Sequence, residues 1–214
     1  MKALVSSEIE AYATAHSMDE SEVCRALRAE THRQTDCPQM LVGPLEGAFL
    51  KLVTQMVHAS DVLEIGTFTG YSALCFAETI PGRGTVTTCE IDESSAALAR
   101  RYFAMSPHGH KITIRMGPAI ETMRALEHRY DLIFIDADKQ NYVNYYRRAK
   151  ELLTPDGVIL IDNVLWDGDV LVQPPPDERT AAIQELNRVV ASDPDVSAVL
   201  ITIRDGVFLV RRNG

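Results

Sequence analysis

Four cysteines are few for a chain of 214 residues, and Cys24, Cys37, Cys75 and Cys89 are far apart with no Cys-x-x-Cys pair. That spacing argues against a zinc ribbon and against a disulfide framework, and fits reduced, structural thiols. Positive charge is scarce as well: 21 Lys and Arg stand against 30 Asp and Glu, a formal net charge of −9. The basic residues fall in short scattered pairs such as Arg100-Arg101, Arg147-Arg148 and Arg211-Arg212, so no groove for nucleic acid is indicated. No apolar run approaches membrane-spanning length, and Met1 to Ala15 has neither a hydrophobic signal core nor an Arg-rich transit pattern. The expectation is a cytoplasmic protein with no membrane partner. The six histidines are scattered, and His108-Gly109-His110 reads as a solvated turn rather than a metal site.

What is present is an ordinary globular composition, 46% hydrophobic and 24% charged, in a chain long enough for one well-buried core. One domain over residues 1–214 is expected. Residues 1–39 read as two short helices, the second with Val23, Ala26 and Leu27 on one side. A helix from Pro44 to His58 is marked by Leu45, Phe49, Leu52, Val53, Met56 and Val57, with Pro44 favourable in the first turn. Strands then alternate with helices: Asp61 to Gly66, Thr85 to Ile91, Lys111 to Met116, Tyr130 to Asp136 and Gly157 to Asp162. The helices between and after them are expected near residues 70–80, 93–105, 119–126, 142–153 and 180–190. Such alternation means a parallel sheet covered on both faces. Val196 to Ile203 and Val207 to Arg211, split by Asp205-Gly206, predict an antiparallel hairpin closing the sheet.

Ligands of open α/β sheets sit outside the carboxyl ends of the strands, and these strand ends are unusual. The first turn, Glu64-Ile-Gly-Thr-Phe-Thr-Gly-Tyr-Ser72, has glycines spaced G-x-x-x-G rather than G-x-G-x-x-G, with an acid before Gly66. A carboxylate there repels pyrophosphate but suits a cationic amine. Glu90, at the end of the second strand, stands where an acid accepts hydrogen bonds from a ribose diol. Ribose without phosphate, plus an amine, describes S-adenosylmethionine. Leu132-Ile-Phe-Ile-Asp136-Ala-Asp138-Lys139 runs a buried strand into two acids and an amine. In an extended segment Asp136 and Asp138 point to the same side and would share one crevice. Asp136, Asp162 and Asn163 are hard oxygen donors suited to Mg²⁺, Mn²⁺ or Ca²⁺. Asp162 and Asn163 equally suit an Asx turn, and neighbours on a strand face oppositely, so both can reach one cation only if the backbone turns there.

The stretches LEIGTFTGYS, Gly117-Pro-Ala119, FIDADK and IDNVLW together closely resemble the cation-dependent class I O-methyltransferases, the catechol and caffeoyl-coenzyme A O-methyltransferase family, from about Met40 to the C-terminus. The resemblance implies a Rossmann-like α/β fold: a seven-stranded, mostly parallel sheet with a C-terminal antiparallel hairpin, helices on both faces and an N-terminal helical cap. It implies that Met40, Val42, Glu64, Gly66, Ser72, Glu90, Ala119 and Asp138 bind S-adenosylmethionine. It makes Asp136, Asp162 and Asn163 metal ligands, Lys139 the general base and Trp166 a wall of the acceptor pocket, in a homodimer. The implied reaction is metal-dependent methylation of one hydroxyl of a vicinal aromatic diol, a small-molecule acceptor. A tRNA hydroxylated-base O-methyltransferase and a noncatalytic cofactor-binding module are the alternatives. Departures from the family pattern are Glu90, where caffeoyl-coenzyme A enzymes carry Asp, and Thr202 and Arg204, where relatives have proline and a small residue. The final hairpin is therefore expected to differ in shape.

Overall fold

The computed structural model of the chain describes residues 5–213. Residues 1–4 of the expected cap and residue 214 of the expected core lie outside the described residues. Two capped helices begin it, α1 (Ser7–Ala15) and α2 (Glu22–Gln34), with the hydroxyls of Ser6 and Ser21 accepting from the amides of Ile9 and Cys24. The buried stripe of α2 is Cys24, Leu27 and Thr31, and Ala26 is exposed, which corrects the expected Val23–Ala26–Leu27 side.

Helix α3 (Gly43–Met56) is rotated from its apolar pattern: Leu52 is 48% and Met56 70% exposed, while Glu46, Gly47, Leu50 and Thr54 are buried. The cause is the approach of α4 (Tyr71–Thr79), so close that a Cβ at Gly47 would lie 3.0 Å from the Tyr71 ring and 3.1 Å from Cys75 Sγ. Glycine fits that crossing, and it sets which face turns inward.

Seven strands form one sheet: β1 (Asp61–Ile65), β2 (Thr85–Glu90), β3 (Ile112–Met116), β4 (Tyr130–Ile135), β5 (Leu153–Asp162), β6 (Val196–Ile201) and β7 (Val207–Arg212). Their order is β3-β2-β1-β4-β5-β7-β6, with β1 to β5 mutually parallel and β7 antiparallel to both of its neighbours. Lys111, expected in the third strand, belongs to the short 3₁₀ turn before it, where its ammonium bonds the carbonyls of Ala77 and Ile80 at the end of α4. The remaining helices are α5 (Glu93–Met105), α6 (Ala119–Ala125), α7 (Tyr142–Leu152) and α8 (Glu178–Ala191). Asp92 caps α5 through the Ser95 amide, as its position predicts.

Successive residues of a strand serve opposite faces, and β4 shows the consequence: Leu132 and Phe134 join a core with α2 to α5, whereas Ile133 and Ile135 join one with α6 to α8. Both faces are covered, so the central strands are continuous apolar runs. Helix α7 closes the second core with three fully buried tyrosines, Tyr142, Tyr145 and Tyr146. The C-terminal connection differs from a two-residue hairpin. Strand β6 stops at Ile201, which pairs with Val207, and Thr202 to Gly206 form a five-residue loop with left-handed φ at Arg204 (46°) and Gly206 (85°).

Candidate active site at the carboxyl edge of the sheet

The turn after β1 is built by backbone proximity. Gly66 has φ 103°, and a Cβ there would lie 1.9 Å from the carbonyl oxygen of Asp136. Asp136 in turn donates its amide to the Ile65 carbonyl at 2.8 Å, which locks the ends of β1 and β4 together. Glu64, at the buried end of β1, accepts from Thr88 Oγ1 at 2.5 Å and from the Ser72 hydroxyl, while its Oε1 has no partner among the described residues. Burial pushes its carboxyl up to about 8; the two hydroxyls oppose this, and the charges of Asp136 and Glu90 add to it. Glu90 is held by three amides, Phe68 to Oε2 at 2.6 Å and Ile91 and Asp92 to Oε1 at 2.9 Å each. A carboxylate so held keeps lone pairs for further donors.

Beyond β4 and β5 the groups are charged on both sides. The Lys139 ammonium, 8% exposed, donates to Asp136 Oδ1 at 3.1 Å, to Asn163 Oδ1 at 2.7 Å and to the Tyr142 hydroxyl. The backbone does turn after β5: Asn163 has φ 59°, and its amide donates to Asp162 Oδ1 at 2.6 Å. The pair therefore makes a local turn and also brings the amide oxygen of Asn163 onto the ammonium that Asp136 holds. Burial, then the neighbouring Asp136, raises the Asp162 carboxyl, against the pull of Lys139 and Arg204. Trp166, Asp167 and Gly168 follow with φ of 47°, 55° and 86°. The Trp166 ring centroid is 5.6 Å from Lys139 Nζ.

Not every expected residue is in one place. Asp138 lies beyond the end of β4 at Ile135. Asp138 is exposed, accepting from Tyr145 Oη at 2.5 Å and Asn141 Nδ2 at 2.6 Å. Val42 and Ser72 are buried, Met40 is 55% exposed in a short 3₁₀ turn before α3, and Ala119 opens α6. Two residues of the site have no counterpart in the expectations. Tyr142 places its hydroxyl on Lys139, and Glu46, fully buried in α3, lies within the field of Asp162 and Asp136, which together with burial raises its carboxyl well above the usual range. The signal for Glu46 was an acid in register with Leu50 and Thr54 on one helical face. Among the described residues no group of three His, Cys, Asp or Glu side chains is arranged to hold a metal ion. The set present is two carboxylates and an amide.

A doubly wound sheet with an acid-lined glycine turn at its first strand and a lysine held among oxygens at its fourth and fifth is the build of a class I methyltransferase. The family profile described as O-methyltransferase matches residues 14–213. Catechol O-methyltransferase domain-containing protein 1 of Mus musculus is 34% identical over 203 residues, 92% of this chain and 77% of that protein. Caffeoyl-CoA O-methyltransferase 5 of Nicotiana tabacum is 34% identical over 179 residues, 78% and 75% of the two chains. Among solved structures, the O-methyltransferase TomG of Streptomyces achromogenes, in complex with SAM, superposes with a TM-score of 0.90 at 28% identity, covering 97% of this chain and 96% of its own. The Bacillus cereus O-methyltransferase in complex with SAH gives 0.88 at 28% identity, covering 96% and 97%. The chain belongs to the O-methyltransferase family.

Proposed function

We propose that the chain transfers the methyl group of S-adenosylmethionine to one hydroxyl of a vicinal aromatic diol, with a divalent cation at Asp136, Asp162 and Asn163. The observation that carries this reading is the position of Lys139 Nζ, held by Asp136, Asn163 and Tyr142 at the strand edge that also carries Glu64 and Glu90. The donor set fits a hard cation: all three groups offer oxygen, and two of them already converge on the positive charge of an ammonium. When bound, such a cation would favour ionisation of a hydroxyl beside it.

The protein side of the reaction follows from the residues. Glu64 and Glu90, with Met40, Val42, Gly66, Ser72, Ala119 and Asp138, receive the cofactor. Glu64 answers its positive charge and Glu90 its ribose hydroxyls. The acceptor oxygen bonds to the methyl carbon as the carbon–sulfur bond breaks, and the sulfur leaves as the neutral thioether. Lys139, entering the step as the free amine, takes the hydroxyl proton on Nζ, with Asp136, Asn163 and the Tyr142 hydroxyl arranged to receive the three hydrogens of the resulting ammonium. Trp166 orients the ring. Holding both reactants in line is worth several kcal/mol, about 7 to 11 in well-oriented systems. We read residues 1–214 as one methyltransferase domain, with residues 1–39 as its cap, acting as a cytoplasmic homodimer. The relatives' names support a small-molecule acceptor of catechol or caffeoyl type.

The test is methyl transfer from labelled S-adenosylmethionine to catechols, caffeoyl esters and bulk tRNA, with chelator and then Mg²⁺ added back. Chelator-sensitive methylation of vicinal diols, and not of their monohydroxy analogues, is the expected result. Metal-independent transfer would leave Asp136, Asp162 and Asn163 as structural residues, and transfer to tRNA alone would replace the acceptor class.

A further inference from the structure

Arg204 stands in the loop between β6 and β7, at a left-handed φ of 46° that a side chain with a Cβ rarely adopts. Its guanidinium reaches across to α3 and the segment before it. Nη1 donates to the Val42 carbonyl and to Glu46 Oε2 at 3.0 Å, and Nη2 to the Gln39 carbonyl at 3.4 Å. Glu46 is fully buried, and its other oxygen has no partner among the described residues. One side chain thus ties three points of residues 39–46. The loop that carries it is fixed on its other side to the segment after β5: Val164 donates to the Gly206 carbonyl at 3.1 Å, Leu165 to the Asp205 carbonyl at 2.9 Å and Asp167 to Asp205 Oδ1 at 2.6 Å.

We propose that Arg204 is a positioning residue for the methyl donor: anchored on Glu46, its guanidinium holds the backbone of Gln39 to Val42 in the conformation that receives S-adenosylmethionine. The inference rests on the reading of Met40 and Val42 as cofactor contacts. The fork of a guanidinium spreads its donors over separate nitrogens, so one residue reaches a carboxylate and two carbonyls at spaced points of the chain.

Arg204→Gly suits the backbone of position 204 but leaves Glu46 buried without its cation, so Glu46→Gln/Arg204→Gly is made beside it to remove both charges. Binding of S-adenosylhomocysteine by calorimetry, KM and kcat for S-adenosylmethionine, and amide exchange of residues 39–46 are measured for each. Both variants are expected to weaken S-adenosylhomocysteine binding and raise KM by about tenfold, the scale of one lost charge-assisted hydrogen bond, with kcat at saturating donor within about twofold. Exchange should rise in residues 39–46 and not in β1 or β4, and Arg204→Lys should recover part of the affinity. A double variant that binds and turns over like the parent chain overturns the proposal, as does a fall in kcat at unchanged KM or a rise in exchange spread over the whole sheet. Failure of the parent chain itself to bind S-adenosylhomocysteine would remove the cofactor reading, and the proposal with it. That result is distinct from a variant that fails to differ.

Discussion

The carboxylates on the two sides of the crevice are satisfied in different ways. Glu64 and Glu90 meet neutral donors: the hydroxyls of Ser72 and Thr88 and the amides of Phe68, Ile91 and Asp92. Asp136 and Glu46 meet the chain's own cations, Lys139 and Arg204. Neutral donors orient a carboxylate without pairing it to a fixed cation, so the first side can ionise to meet a cationic ligand. On the second side the charge is already answered. A ligand arriving there must compete with Lys139 for the same oxygens. Affinity on the donor side should therefore follow charge, and activity on the acceptor side should follow where the lysine goes.

Lys139→Ala removes the competitor and the base together. Turnover is expected to fall by about 10² to 10⁴-fold, the usual worth of a positioned proton acceptor, with S-adenosylhomocysteine affinity nearly unchanged by calorimetry. Unchanged turnover would take Lys139 out of that role. Asp162→Asn keeps the shape but removes a charge that no other carboxylate of the set replaces. Titrating Mg²⁺ back into chelated enzyme should then need about 10 to 100-fold more metal for half activity, and an unshifted midpoint would free Asp162 from cation binding.

Glu64→Gln tests the donor side, with an expected loss of about tenfold in S-adenosylmethionine affinity. It also tests a proton. Folding raises the Glu64 carboxyl from the ordinary 4.5 to about 8, so the folded chain holds a proton there that the unfolded chain has released. This group's contribution to stability is then greatest at low pH and declines as pH rises through that window. A cationic donor favours the ionised form, so binding near pH 7 should release a proton, visible as a binding enthalpy that changes with the buffer's ionisation heat. Glu64→Gln should flatten both dependences, and their persistence in that variant would assign the proton elsewhere. The smallest effect is expected from Trp166→Ala, a rise of a few-fold in acceptor KM from lost ring contact with donor affinity unchanged; a change on the donor side instead would move Trp166 out of the acceptor pocket.

The sheet was readable because β1, β4 and β5 are apolar runs ending in acids, a pattern that fixes both burial and the active edge. Less was readable where tertiary packing overrides a local pattern. Leu52 and Met56 follow helical spacing yet face outward, because the crossing at Gly47 rotates α3 and carries Glu46 inward. Asp136 and Asp138 were paired on the assumption of an extended backbone. The strand ends at Ile135, ahead of both, and Asp138 accepts from Tyr145 and Asn141. Whether Asp162 and Asn163 make a turn or a ligand pair depended on one dihedral angle, and at φ 59° the turn itself directs Asn163 toward Lys139. Asp205-Gly206 marked the hairpin and Thr202 and Arg204 its altered shape; the length of the loop, five residues, and the reach of Arg204 to α3 were not legible.

Gly66 has a consequence for how this enzyme can change. Its missing side chain lets the turn after β1 and the backbone of Asp136 share a boundary too narrow for a methyl group. Any substitution at position 66 that adds a Cβ therefore displaces the turn after β1 and the backbone of Asp136 at once. A library toward new acceptors that includes position 66 spends its diversity on clones in which both sides of the crevice are displaced.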